Sequence, residues 1–438
     1  MGVSLLENAN MEFLIIGLPA DAPHLDPPLQ GGRKVYAALL RLAQWNSWEE
    51  ADMAIHLEKR PIFVTGSERS GTTLIMTILG VHPNIAVPEV TWYYPRFRPY
   101  LFTYGDLSDP ANFRALSDEM AYGLRKPFFG MDVNPATFGG EIAARATDRE
   151  ASFAGVFSAM LDRYAEDAGK PRWGEKTPYN LFYIEQILRD FPNAQFVFIT
   201  RDGRDVCGEF LDASFGPMNF YTAAELWHMG QQAVKPWRAT LSDDQWFDIN
   251  YEEFVRDPVP GLKRLCDFLG ESYTDDLLAF HTTPVAQGRG RTKDNAAVAH
   301  PISDKYVGLY KDQLSLRDQR IMAWVAGDTL RDLGYEDVAE PLELSAEQVA
   351  FYEEMDGRYR AVNLEAPGGW IVFESYNDWL IDRRAARRQA GLWTELPDPA
   401  PFPLGTKYEE TLTGMRAHRK WKEHFAIKRD YSASRSVL

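Results

Sequence analysis

Cysteine is nearly absent from this chain: two occur in 438 residues, Cys207 and Cys266, each inside an apolar, helix-like stretch. A disulfide framework is therefore excluded, and no Cys/His cluster has zinc-ligand spacing. Both thiols are expected to be buried, and no metal is expected. Basic charge is also in short supply. With 47 Lys plus Arg against 63 Asp plus Glu, the net charge is −16, which argues against a nucleic-acid partner because phosphate backbones are held by clustered cations. Any anion site must be local. No run approaches the roughly 18–20 apolar residues of a membrane helix. The segment MGVSLLENANMEFLIIGLPADAP lacks the basic start and long apolar stretch of a secretory leader. The expectation is a cytoplasmic protein with no membrane partner, and no internal repeat is present.

What remains is an ordinary globular composition, 45% apolar and 25% charged, with length enough for about three domains or one α/β domain carrying insertions. PIFVTG (61–66) reads as a buried strand ending in glycine, and Leu74, Ile75, Ile78 and Leu79 then recur at helical spacing. A second unit places Leu181, Ile184, Leu188 and Phe191 on one helical face before QFVFIT (195–200), a continuous apolar strand. A third strand is expected over 246–254, with helices over 261–270 and about 315–334. Alternating strands and helices imply an α/β fold with a P-loop-like parallel sheet covered on both faces. The expected organisation is an N-terminal helical segment (1–58), an α/β core (59–338) and a helical C-terminal extension (339–438). That extension holds the Pro-rich connector PDPAPFPLG and Arg/Lys-rich helical stretches at 383–388 and 416–422, and is expected to pack on the core or on a sister subunit of a homo-oligomer.

The chemistry is concentrated in Gly66-Ser67-Glu68-Arg69-Ser70-Gly71-Thr72-Thr73. Its glycine spacing and strand-loop-helix setting are those of a phosphate-cradling loop, but the usual lysine is missing. In G-x-x-x-x-G-K-[ST], backbone amides and the helix N-terminus hold the phosphates while lysine neutralises the transferred group and Ser/Thr reaches Mg²⁺. Here Thr72 stands in the lysine position and Arg69 is the available cation. An arginine fork suits a tetrahedral anion with several oxygens, so the loop reads as a phosphate or sulfate site with less need of a metal.

At these residues the chain resembles the PAPS-dependent sulfotransferases, in the branch containing tyrosylprotein and many bacterial sulfotransferases, where the loop carries Arg in place of Lys. PNAQFVFITRDGRDV is similar to the family's 3′-phosphate strand and helix, GEKTP to the basic motif before it, and NYEEFVRDP and DLGYE to later segments, over about residues 61–336. The resemblance implies transfer of a sulfuryl group from PAPS (3′-phosphoadenosine 5′-phosphosulfate) to a hydroxyl-bearing acceptor by in-line displacement. It implies that Ser67, Arg69, Ser70, Gly71, Thr72 and Thr73 bind the 5′-phosphosulfate, that Arg201 pairs with the 3′-phosphate, and that Lys176 and Arg69 offset charge on the leaving phosphate. Glu89 then stands as the base that takes the acceptor proton.

One position departs from the family. Eight residues after Arg201 the expected Ser is Glu209. A carboxylate beside a phosphate is unfavourable, so its side chain is expected to turn away or the helix to be shifted, and it is left out of the site. His82 is expected to shape a turn. The aromatic run Trp92, Tyr93, Tyr94, Phe97, Tyr100, Phe102 and Tyr104 suits either an acceptor pocket or core packing. Arg289, Arg291, Lys293 and Ser303, in the glycine-rich basic segment 287–308, are candidates for a loop closing over the nucleotide. The rival readings are a Mg²⁺-dependent, kinase-like P-loop enzyme and a catalytically silent PAP-binding subunit.

Overall fold

Alternation along two central strands decides the layering. Phe63, Phe196 and Phe198 face one side of the sheet, while Ile62, Val64, Val197 and Ile199 face the other, all of them fully buried. Such strands can be covered only by helices on both faces. The computed structural model describes residues 54–392 apart from 125–130, 148–149, 214–215, 218, 337 and 364–370. Among them, β1 (Ile62–Gly66), β2 (Ile85–Ala86), β3 (Arg172–Lys176), β4 (Gln195–Thr200) and β5 (Trp246–Asn250) form a five-stranded sheet in the order β2-β3-β1-β4-β5. Every neighbouring pair is parallel.

The helices are α1 (Thr72–Val81), α2 (Pro110–Tyr122), α3 (Phe138–Thr147), α4 (Phe153–Asp167), α5 (Ile184–Asp190), α6 (Gly203–Asp212), α7 (Phe220–Thr240), α8 (Pro258–Leu269), α9 (Leu316–Asp332), α10 (Ala346–Asn363) and α11 (Ile371–Gln389), with shorter turns between them. The aromatic face of the sheet packs under α2, α3 and α4, where Phe63 lies 5.8 Å from Phe196 and 6.0 Å from Trp173, ring centre to ring centre. The aliphatic face packs against α1 and α8, and Cys266 is buried in that layer. A third cluster joins α6, α7 and α9 around Trp227 and encloses Cys207. Both cysteines are free and buried, as expected.

Two strand expectations change. The third strand, expected over 246–254, stops at Asn250, whose side chain accepts from the Glu253 amide and caps a short helix, Tyr251–Arg256. Strand β3 was unforeseen because RWGEK is mostly charged, yet all five of its residues are buried. Arg172 repays its burial with bonds to the Arg60 and Leu269 carbonyls, 2.7 Å each.

The C-terminal helix α11 is tied to the core. Tyr376 and Leu380 join the aromatic layer, and Arg387 grips the fully buried Glu119 with both terminal nitrogens, at 2.5 and 2.7 Å. Part of the expected extension thus packs on its own core. Residues 1–53, the Pro-rich connector and the basic stretch at 416–422 lie outside the described residues. Among the described residues no helix is long and apolar enough to cross a membrane.

The sheet order places the chain reversal at β1, flanked by β3 on one side and β4 on the other. In such sheets the crevice beyond the carboxyl ends of the strands, at the reversal, is where ligands bind. The loop 67–71 follows β1, Lys176 ends β3 and Arg201 follows β4.

Candidate active site

Gly66 ends β1 at φ 149°, and a Cβ there would lie 2.5 Å from the Ile199 carbonyl oxygen on β4. Gly71 opens α1 at φ 98°, pressed against the Tyr251 ring. Between them Arg69 adopts φ 67°, a left-handed conformation uncommon for a residue with a side chain and concentrated at functional turns. The N-cap of α1 is Gly71, with no side-chain cap, so the first-turn amides are left for an anion. Ser67 Oγ, Ser70 Oγ and Arg201 Nε are buried without a protein partner. Thr72 is buried as the first residue of the helix, and Thr73 follows it.

Around this loop the structure assembles two clusters. In the first, Arg69 donates from Nη2 and Nε to Glu209 Oε2 at 2.7 and 3.1 Å, while Arg201 donates from Nη1 to Glu209 Oε1 at 2.6 Å. Arg201 also donates to the Arg69 and Tyr306 carbonyls, 2.8 Å each, and lies over the Tyr251 ring. Arg69 Nη1 donates to the Asp294 carbonyl at 2.8 Å. Glu209 therefore does the opposite of turning away: it bridges the two guanidinium groups. Burial opposes ionisation of Glu209, but Arg201 and Arg69 outweigh it and hold its pKa below the ordinary carboxylate value.

In the second cluster Lys176 donates to Thr73 Oγ1 at 3.3 Å. It is almost wholly buried, and burial pulls its pKa down to about 8, with Glu89 the largest influence in the other direction and Arg289 adding to the depression. Glu89 is ion-paired to Arg289, which also donates to Thr77 Oγ1 at 3.1 Å. The next residue inward, Glu175, accepts from Thr91 and Thr177 at 2.6 Å each and from Asn180 at 2.5 Å. That buried carboxylate pins the segment leading from Glu89 to Trp92 against the end of β3.

A small, partly open cleft adjoins the loop, lined by Ser67, Glu68, Tyr179, Phe182, Phe210 and Trp227 among others. It is built from residues after Lys176 and from α6 and α7. The aromatic run 92–104 contributes little to it. Tyr93, Tyr94, Phe97 and Tyr104 are core, and Trp92 packs against the Tyr179 ring at 4.9 Å with the two planes tilted by 40°. His82 bonds the Ser272 carbonyl and accepts from the Asn84 amide, the turn-shaping role expected of it.

The sequence of residues 61–275 matches the model of a sulfotransferase family. This stretch of chain belongs to that family. A putative protein-tyrosine sulfotransferase of Caenorhabditis briggsae is 24% identical over 224 residues, 50% of this chain and 69% of that one. The protein-tyrosine sulfotransferase of Drosophila melanogaster is 24% identical over 292 residues, 64% of this chain and 52% of its own length. Among solved structures, the sulfotransferase domain of a Synechococcus olefin synthase superposes with a TM-score of 0.43 at 18% identity, covering 62% of this chain and 96% of that domain.

Within this sulfotransferase-family core, the loop residues, Lys176, Glu89 and Arg201 all lie at one end of the sheet. Arg289 joins them through Glu89, whereas Lys293 reaches the Asp212 carbonyl at 3.0 Å, Ser303 caps a turn and Arg291 is exposed. Glu209 and Glu175 were not read as site residues. The signal for Glu209 was present in its place on α6, two turns beyond Arg201. Glu175 carried no such signal. The residues present fit a polyanionic donor: a glycine-lined turn, buried hydroxyls and an Arg Nε without protein partners, and an uncapped helix N-terminus. Among the described residues no group of three or more His, Cys, Asp or Glu is placed to hold a metal ion.

Proposed function

We propose that this chain transfers a sulfuryl group from PAPS to an acceptor hydroxyl by in-line displacement. What carries the reading is the convergence of Arg69, Lys176 and Arg201 from the ends of three adjacent strands onto one loop, within a sulfotransferase-family sequence. Arg69, Ser67, Ser70, Gly71, Thr72 and Thr73 hold the 5′-phosphosulfate, and Arg201 takes the 3′-phosphate. The acceptor oxygen forms a bond to sulfur as the bridging P–O–S oxygen departs with the 5′-phosphate of PAP. Lys176 offsets the charge growing on that oxygen, and Glu89 receives the acceptor proton. Such chemistry is carried mainly by placement and electrostatics. Glu89 is already engaged by Arg289, so the acceptor must draw it from that partner.

The test is binding and turnover together. PAP is expected to raise the melting temperature of the wild-type protein by more than ATP with Mg²⁺ does, and Arg69→Ala to remove most of that gain. Absence of any PAP-dependent shift, or full sulfuryl transfer by Arg69→Ala, would refute the reading.

A further inference from the structure

The carboxylate of Glu209 occupies the one place in the loop where an anion would meet two guanidinium groups at once. Each of its oxygens takes a short bond from a different arginine, 2.7 Å from Arg69 and 2.6 Å from Arg201. Arg201 is almost fully buried, so removing its counter-charge without replacement would leave a buried cation. Glu209 itself remains about a quarter exposed and sits on the second turn of α6, where rotation about its side-chain bonds swings the carboxylate out without moving the backbone. The arginines are held independently of it, through the Arg69, Asp294 and Tyr306 carbonyls. They keep their places when the carboxylate leaves. Arg201 Nε and the two loop serines are further buried donors without protein partners, beyond those Glu209 satisfies.

We propose that Glu209 is a built-in counter-anion: it neutralises Arg69 and Arg201 until a phosphate or phosphosulfate group of the donor displaces it, so affinity for the donor is set by competition with the chain's own carboxylate. The inference rests on the donor reading above for the identity of the ligand, and on the ion-pair geometry alone for the competition. Like charges a few ångströms apart at a poorly hydrated site oppose joint occupancy. The donor and Glu209 therefore exclude one another. Donor release is assisted by the returning carboxylate.

The experiment compares wild-type protein with Glu209→Gln in calorimetric titrations with PAP and, separately, with inorganic pyrophosphate, melting temperatures being recorded for both proteins. The glutamine keeps the size and one hydrogen-bonding oxygen but not the charge. Affinity for pyrophosphate and for PAP is expected to rise about tenfold or more. A rise for pyrophosphate with no binding of PAP by either protein supports the counter-anion and sinks the PAPS reading. Equal or weaker affinity of Glu209→Gln for both ligands, with PAP bound by the wild type, overturns the counter-anion and leaves the PAPS reading standing. No binding of either ligand by either folded protein overturns both. Should Glu209→Gln fold poorly, the wild-type structure with PAP or pyrophosphate decides: Glu209 parted from both arginines supports the proposal, and both ion pairs intact beside the bound anion overturn it.

Discussion

Replacing Lys176 by methionine is expected to lower kcat for sulfuryl transfer by about a hundredfold to a thousandfold, the range seen when one preorganised partner of a developing oxyanion is removed. Its ammonium is held at the end of β3 by burial and by Thr73, so it is aimed before the donor arrives and needs no reorganisation during the reaction. The fold should tolerate the change. A buried ammonium is costly and an apolar side chain of similar length is not, so the melting temperature of Lys176→Met should equal or exceed that of the wild type. PAP affinity should fall far less than kcat, because the charge Lys176 meets is largely created in the transition state. Wild-type turnover in Lys176→Met, measured with a labelled sulfuryl donor, would remove this residue from the mechanism.

The same residue sets a pH limit. Burial lowers the Lys176 pKa to about 8, and the protonated form is the one required. Plotted against pH, kcat/KM for the donor is therefore expected to be level below that value and to fall about tenfold per unit above it. A bound anionic donor favours the ammonium, which moves the corresponding limb of kcat to higher pH. A kcat/KM profile flat from pH 7 to 10 would mean that Lys176 stays protonated throughout or does not act.

The strands at the centre of the sheet were legible because complete burial demands unbroken apolar runs, as in β1 and β4, and the loop was legible because its glycines and arginine are close together in sequence. Strand β3 was not, since Arg172 and Lys176 are satisfied by partners 23 to 112 residues away and Glu175 by Thr91, 84 residues away, together with nearby Thr177 and Asn180. The end of β5 depended on a single capping asparagine. The aromatic run 92–104 was ambiguous in principle: a stripe of rings serves a pocket or a core equally well until the layer over it is known, and here α2 and α4 supply that layer. Glu209 misled for a different reason. Pairwise reasoning set its charge against the phosphate expected at Arg201, whereas the folded chain sets it against two arginines, Arg69 and Arg201. The same carboxylate is unfavourable in one comparison and satisfied in the other.

Removing the carboxylate of Glu89 while keeping its shape should have a comparable effect: Glu89→Gln is expected to lose about a hundredfold to ten-thousandfold in kcat, the contribution of a placed general base. Three features make it the candidate. It lies in the segment pinned by Glu175 through Thr91, its charge is the strongest influence favouring the protonated form of Lys176, and Arg289 holds it in place. A purely structural Glu89 would also matter for Arg289, so lost activity alone does not separate the roles. A second variant does: Arg289→Met removes the ion pair and leaves the Glu89 carboxylate in place, so it should lose far less kcat than Glu89→Gln. With the negative charge of Glu89 gone, burial and Arg289 act on Lys176 unopposed by it, and the alkaline limb of kcat/KM should move to lower pH. PAP affinity near neutral pH should change little, because the donor is held mainly by the loop. If Arg289→Met loses as much kcat as Glu89→Gln, or Glu89→Gln loses PAP binding in step with turnover, Glu89 positions its neighbours and some other group takes the proton.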